Sequence, residues 1–254
     1  MRIGFAGAGS MATAMARGWA RTDTPPRMLF CDLDADRAAT LARETDGETR
    51  GDLSSLRDDS DILLLAVKPA ALESVASELS GEAPAILSVM AATTLAQLDA
   101  AFPGVPALRA MPNQPAEVGR GVLCYARPDD FPDELGGELV ALLGALGNAI
   151  ELPEDRIDAA MAVMSCAPAY VASFAEALAD AGARDGLEPA LSLELVAGTL
   201  EGTAELLRER DPESIRRSVA PPGGATEAGL KALEAGGFEA AIAAAVAASL
   251  ERFR

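Results

Sequence analysis

Several short segments carry residue types and spacings suited to chemistry. Gly7-Ala8-Gly9-Ser10-Met11-Ala12 has G-x-G-x-x-A spacing and falls between an apolar run and a helical pattern. There, Gly7 permits a tight turn, Gly9 lets backbone amides approach a pyrophosphate, and Ala12 stands for the third small residue. The helix start supplies free amides and the positive end of a dipole. A bare structural turn is the alternative. Asp32 ends the second apolar run, 25 residues after Gly7. A carboxylate in that place accepts hydrogen bonds from the ribose hydroxyls of NADH. Leu33 stands where an arginine would favour the 2′-phosphate of NADPH, Asp34 and Asp36 add negative charge, and Arg37 is the nearby cation. The balance favours NADH, although Asp34 also reads as a helix cap.

Three further segments invite ligands. Val67-Lys68-Pro69 closes the apolar run 61–67, and ligands of open α/β sheets bind outside the carboxyl ends of the strands. Lys68 is one of two lysines, and a solvent lysine at a strand end is the plain alternative. Met111-Pro112-Asn113-Gln114-Pro115 offers the Asn113 amide, donor and acceptor, between two stiffening prolines; it also reads as an ordinary turn. Ala220-Pro221-Pro222-Gly223-Gly224-Ala225-Thr226 is a rigid loop entering a helical pattern from about Glu227. Such a loop suits a carboxylate, with the Thr226 hydroxyl beside the amides. An interhelical turn capped by threonine is the alternative.

Composition limits the chemistry further. The 254 residues include no histidine, which removes the commonest general base and every Ser-His or Cys-His pair. Formal charge is −18, and residues 1–150 (12 basic, 21 acidic) and 151–254 (9 basic, 18 acidic) each contribute −9. A nucleic-acid or anionic-membrane partner calls for the opposite sign. Cys31, Cys124 and Cys166 are scattered and form no CxxC pair, so neither a disulfide framework nor a metal site is expected. The N-terminus lacks a signal-peptide pattern, and no run of ~18 uninterrupted membrane-type residues stands out. A cytoplasmic protein with a small-molecule substrate is the expectation.

These segments need elements to hold them. Apolar runs at 2–6, 28–31, 61–67, 85–90, 105–111, 121–125 and 149–152 read as strands, alternating with helical patterns at 10–21, 35–44, 94–101 and 133–146 and a helix opening at Pro69. That alternation predicts a mostly parallel sheet covered on both faces. After Pro153 only helical patterns remain, alanine-rich and with wide apolar faces, as in 169–183. The expected organisation is α/β: residues 1–152 a Rossmann-like dinucleotide-binding domain, and 153–254 an all-α domain for dimerisation and substrate binding. A self-contained helical bundle is the alternative for the second part.

Taken together, IGFAGAGSMATAMARG, LLLAVKP, RAMPNQPAEVG, APAYVASFAEALADAG and PPGGATEAGLKALEAGGF resemble the pyrroline-5-carboxylate reductase family along nearly the whole chain. The resemblance implies reduction of the C=N bond of 1-pyrroline-5-carboxylate to L-proline with NADPH or NADH, in a homodimer or larger homo-oligomer. It implies that Val67, Lys68 and Pro69 line the nicotinamide pocket and that Pro222, Gly223, Gly224, Ala225 and Thr226 hold the substrate, with Thr226 near the ring nitrogen, assisting proton delivery. With the residues read above, the cofactor candidates are Gly7, Ala8, Gly9, Ser10, Met11, Asp32 and Ala66–Pro69, and Asn113 joins the substrate candidates. The chain departs from the family pattern at Met164-Ser165-Cys166-Ala167, where Ser-Gly-Ser-Gly is usual, at Pro221 in place of serine and at Gln114 in place of threonine. These positions fall in or near the implied substrate pocket. Other readings are a reductase of another cyclic imine acid, a β-hydroxyacid dehydrogenase using Lys231 as base, and a non-catalytic nucleotide-binding homologue.

Overall fold

In a computed structural model describing residues 1–253, β1 (Arg2–Ala6) turns through the glycines into α1 (Ser10–Ala20). The chain returns along β2 (Arg27–Cys31) to α2 (Ala35–Glu44), then passes a short strand β3 (Glu48–Thr49) and α3 (Leu53–Asp58) to reach β4 (Ile62–Leu65). A 3-10 turn, Pro69–Ala71, leads to α4 (Leu72–Glu78), β5 (Ile86–Ser88), α5 (Leu95–Ala101) and β6 (Ala107–Met111). After a second 3-10 turn, Gln114–Val118, come β7 (Gly121–Ala126), α6 (Asp133–Gly144) and β8 (Gly147–Glu151). The rest is helical: the 3-10 turn Glu154–Arg156, α7 (Ile157–Met164), α8 (Ala167–Arg184), α9 (Pro189–Glu209), α10 (Pro212–Val219), α11 (Ala225–Ala235) and α12 (Phe238–Phe253).

The strands form one sheet in the order β3-β2-β1-β4-β5-β6-β7-β8, in which only the β6–β7 pair is antiparallel. Both faces are covered, and β4 shows why its sequence is apolar throughout. Ile62 and Leu64 join the cluster of Phe5, Met15, Trp19 and Phe30 on one face, while Leu63 and Leu65 join Leu56, Leu98 and Phe102 on the other. The α1 helix is fixed to α6 by the buried Trp19, whose indole N–H donates to the Leu142 carbonyl at 2.8 Å. The chain order reverses between β1 and β4, and a doubly wound sheet opens a crevice for a ligand at such a point.

Neither β3 nor α3 was expected. Both β3 residues are exposed, and α3 buries Leu56 alone, so neither leaves an apolar period. The expected helix at 94–101 is present as α5, with Thr94 as its cap and a reciprocal Thr94–Gln97 capping box.

The chain divides into two compact units, Met1–Cys166 with Arg252 and Phe253, and Ala167–Glu251. The first unit extends past Pro153 because α7 packs Ile157, Met161 and Met164 against Met111 and Cys124 of the sheet. The second unit has few buried large side chains, and Val171, Phe174, Leu178, Leu191, Leu195 and Ile242 are exposed apolar residues on its helices. One expectation needs correction: the helical run Glu154–Arg184 is long and apolar enough to cross a bilayer by length and composition alone. Its small, uncharged residues from 159 to 175 were overlooked because alanine and serine dominate them.

Candidate active site

The glycine segment lies at the carboxyl end of β1, at the reversal point. Gly7 has φ +101°, and a Cβ added there would sit 2.8 Å from the Ala66 carbonyl oxygen. Only glycine fits the turn and lets the ends of β1 and β4 lie side by side. The Ala66 N–H donates to the Ala6 carbonyl at 2.9 Å, and the Gly7 N–H donates to the Cys31 carbonyl at 2.8 Å. Gly7–Met11 and Ala66–Pro69 are therefore brought together. Lys68 is exposed and stands immediately before the 3-10 turn Pro69–Ala71.

Gly9 is the N-cap of α1 and provides no side-chain cap. Of the other helices, α2, α3, α5, α9 and α10 are capped by Asp34, Asp52, Thr94, Glu188 and Asp211, whereas α4, α6, α7 and α11 have no side-chain cap. A Cβ on Gly9 would meet nothing within 4 Å. The first amides of α1, which have no intrahelical partner, thus face open space. A cavity of about 510 Å3 adjoins them, lined by Ala8, Gly9, Ser10, Thr13, Arg17, Arg37, Gln114 and Glu117. Uncapped amides, a helix dipole and an open face over Gly9 fit a dinucleotide pyrophosphate.

Asp32 closes the site on the β2 side. One carboxylate oxygen accepts the Ala8 N–H at 2.6 Å, and the other accepts the Asp34 N–H at 2.8 Å. The carboxylate thus ties the glycine loop to the start of α2. Asp34 caps α2 through the Arg37 N–H at 3.1 Å, as its alternative reading held. Burial, above all, pushes the neighbouring Cys31 thiol up, with Glu78, Asp52 and Asp32 adding to the rise, so it stays a neutral thiol.

The sequence reading missed Arg17, Thr13 and Glu117. Arg17 donates to Glu117 at 2.7 Å and to Glu44 at 2.8 Å, joining α1 to α2 and to the turn that follows Asn113. Ser10, Thr13 and Arg17 follow helical spacing on α1, which is the signal that could have found them. At Gly18 a side chain would strike the Ala116 carbonyl, so this glycine lets α1 lie directly on the turn.

Asn113 is buried and its amide is engaged at both ends. It donates to the Met164 carbonyl at 3.0 Å and accepts from the Val122 N–H at 2.9 Å. The side chain thereby holds the end of α7 against β7. Met164 is 8% exposed and fills the core beside Met111, Ile157 and Met161. The bulk of Met164 is thus accommodated inside the first unit.

In the second unit, α11 begins at Ala225, two residues earlier than expected. Its N-cap is Gly224, with no side-chain cap, so Thr226 does not cap the helix. Thr226 is exposed, and its hydroxyl has no hydrogen-bond partner among the described residues. The loop already holds one carboxylate: the Gly223 N–H donates to Glu227 at 2.8 Å. That bond, together with Lys231, keeps the Glu227 carboxyl below the usual range.

A doubly wound sheet with an uncapped glycine-opened helix at its reversal point, followed by an all-α unit, defines a dinucleotide-dependent oxidoreductase. The comparisons narrow the class. A family profile described as pyrroline-5-carboxylate reductase dimerisation matches residues 154–254, and one described as NADP oxidoreductase, coenzyme F420-dependent, matches residues 2–92. A pyrroline-5-carboxylate reductase of Synechocystis is 38% identical, covering 99% of this chain and 97% of the relative. One from Mycobacterium tuberculosis is 32% identical over 99% of this chain and 95% of the relative. The structure of 1-pyrroline-5-carboxylate reductase from Streptococcus pyogenes superposes with TM-score 0.90 at 28% identity, covering 100% of this chain and 98% of that one. The Plasmodium falciparum enzyme with NADP bound gives TM-score 0.88 at 26% identity, covering 100% and 97%. The chain belongs to the pyrroline-5-carboxylate reductase family.

Proposed function

We propose that this chain reduces 1-pyrroline-5-carboxylate to L-proline with NAD(P)H, as a homodimer or larger homo-oligomer in the cytoplasm. The observation that carries the reading is full-length similarity to pyrroline-5-carboxylate reductases in a chain whose α1 starts at Gly9 with no side-chain cap and open space around it. Residues 1–152 serve the cofactor, and residues 153–254 serve dimerisation and the substrate.

Gly7, Ala8, Gly9, Ser10 and Met11 hold the pyrophosphate, Asp32 holds a ribose, and Ala66, Val67, Lys68 and Pro69 line the nicotinamide side. When bound, the cofactor supplies a hydride for the imine carbon and leaves oxidised; a proton goes to the ring nitrogen. Protonation at the ring nitrogen makes the imine electrophilic, so beyond helping to place that one proton a chain without histidine need only bind and orient the substrate. The backbone N–H groups of the loop after Pro222, which itself has none to give, hold the substrate carboxylate in the place that Glu227 takes at Gly223. In this reading Thr226, whose hydroxyl has no partner among the described residues, is the group that assists proton delivery to the ring nitrogen. Asn113 contributes by fixing the end of α7 through its two bonds.

A β-hydroxyacid dehydrogenase is less well supported. Its base would be Lys231, which is exposed and paired with Glu227 at 3.0 Å. The deciding assay mixes purified protein with pyrroline-5-carboxylate and NADH or NADPH and follows the nicotinamide absorbance. Imine-dependent oxidation is expected; its absence with both cofactors, in protein that binds them, overturns the reading. Thr226→Ala is expected to lower turnover roughly 100-fold or more, as for a proton-transfer group, and to leave cofactor affinity unchanged.

A further inference from the structure

The end of β2 bears on which cofactor is used, an inference that rests on the oxidoreductase reading above. The Asp32 side chain is 11% exposed, and each oxygen is fixed by a backbone N–H, from Ala8 at 2.6 Å and from Asp34 at 2.8 Å. A carboxylate oxygen has lone pairs to spare beyond one such bond. The group is therefore held in place and still able to accept from a diol. The next residue, Leu33, is fully exposed and brings no charge. The Arg37 guanidinium is already committed, 3.2 Å from the Asp34 carboxylate and 3.8 Å from that of Asp32. Arg17 is committed too, to Glu44 and Glu117. Between α1 and α2 lies a cavity of about 280 Å3 whose charged lining is Asp34, Asp36 and Glu44 against Arg17 and Arg37. With Asp32 at its edge, the surroundings carry a net negative charge.

We infer that Asp32 is a specificity-determining residue that selects NADH over NADPH. Its fixed carboxylate accepts the two ribose hydroxyls of NADH. Replacing one hydroxyl by a phosphate removes a donor and sets a dianion beside that carboxylate, with no uncommitted cation at the strand end to offset it. The partly buried position of Asp32 limits screening of the repulsion by salt.

The test is equilibrium titration of the full chain with NADH and NADPH separately, followed by calorimetry in the absence of imine. The expected result is a Kd for NADH at least 10-fold below that for NADPH, about 1.4 kcal/mol. Equal affinities, or tighter NADPH, overturn the inference. Leu33→Arg leaves both Asp32 bonds intact and adds the missing cation, so it should tighten NADPH at least 5-fold and change NADH less; no gain for NADPH counts against the inference. Arg37→Ala should leave the NADH preference in place. If it weakened NADPH alone by 10-fold, Arg37 would be a phosphate ligand after all, and the inference would fail. Because no imine is present, a lack of reductase activity leaves this result standing, and the two readings fail separately.

Discussion

At the scale of single residues, the two glycines of the loop make opposite demands. Gly7 has a positive φ and no space for a Cβ against Ala66. Gly7→Ala should cost about 1–3 kcal/mol through backbone strain, plus the shift of β4 away from β1. Gly9 has φ −72° and ψ −175° and open space around it. Gly9→Ala should leave the thermal midpoint nearly unchanged but weaken cofactor binding at least 10-fold, because the new methyl stands over the amides the pyrophosphate needs. Paired melting curves and cofactor titrations check this; a Gly9→Ala protein that binds as tightly as the parent would remove the loop from the proposed site. The positions of both glycines and of Asp32 at the strand ends were legible in the sequence because they depend on local spacing along one strand-turn-helix unit, but the tie of Asp32 to the Ala8 and Asp34 N–H groups was not. The Arg17–Glu117 bond was not, because its partners are 100 residues apart and neither belongs to a motif. Asn113 was singled out for its amide, but the sequence could not show that Val122 and the Met164 carbonyl use both of its ends.

At the scale of elements, the join between sheet and α7 depends on Arg109. This side chain is 3% exposed on β6, faces Glu154 and Asp158 at 3.3 Å each, and leaves its Nε without a partner. Glu154 also accepts the Leu95 N–H at the start of α5 at 2.7 Å. Removing both acids strands a buried cation. Glu154→Ala with Asp158→Ala should therefore cost about 2–3 kcal/mol, below the range for a fully buried pair because both acids keep some exposure. Arg109→Met removes the charge itself and should cost less than half as much. Urea unfolding of the two variants checks the order, and a larger loss for Arg109→Met would mean that the ion pairs are net stabilising. Residues 154–166 read from sequence as the opening of a helical domain, since strand signals stop at Pro153. The buried arginine and the apolar stripe Ile157, Met161 and Met164 tie them instead to the sheet, and a long-range contact of that kind leaves no period in the chain. The elements that were legible, such as α2 and β4, have strong caps or apolar runs; β3 and α3 have neither.

At the scale of the whole molecule, the second unit exposes more apolar side chain than a free surface would usually carry, including Leu191 and Leu195 one turn apart on α9. Light scattering should give at least twice the chain mass for the parent protein. Leu191→Glu with Leu195→Glu should give a monomer with its helical circular dichroism retained; an unchanged mass would place the proposed interface elsewhere. The wide apolar faces were legible from 169 onward because alanine-rich helices show them directly.

The charge of −18 sets a last expectation. The cofactor and the imine acid are both anions, so the long-range field opposes their approach, while the proposed cofactor site at the uncapped start of α1 acts only at short range, and at the α11 loop the Gly223 and Gly224 N–H groups are already bonded to Glu227 and to the Pro221 carbonyl. Salt separates the two effects. The screening length falls from about 30 Å at 0.01 M to about 8 Å at 0.15 M, which erases the distant repulsion and leaves contacts inside the site largely intact. Raising the salt over that range should increase the association rate constant for NADH several-fold in stopped-flow traces and change the dissociation rate little. A rate that falls with salt would mean that a local positive field steers the cofactor in, and the net charge would then have no part in its capture.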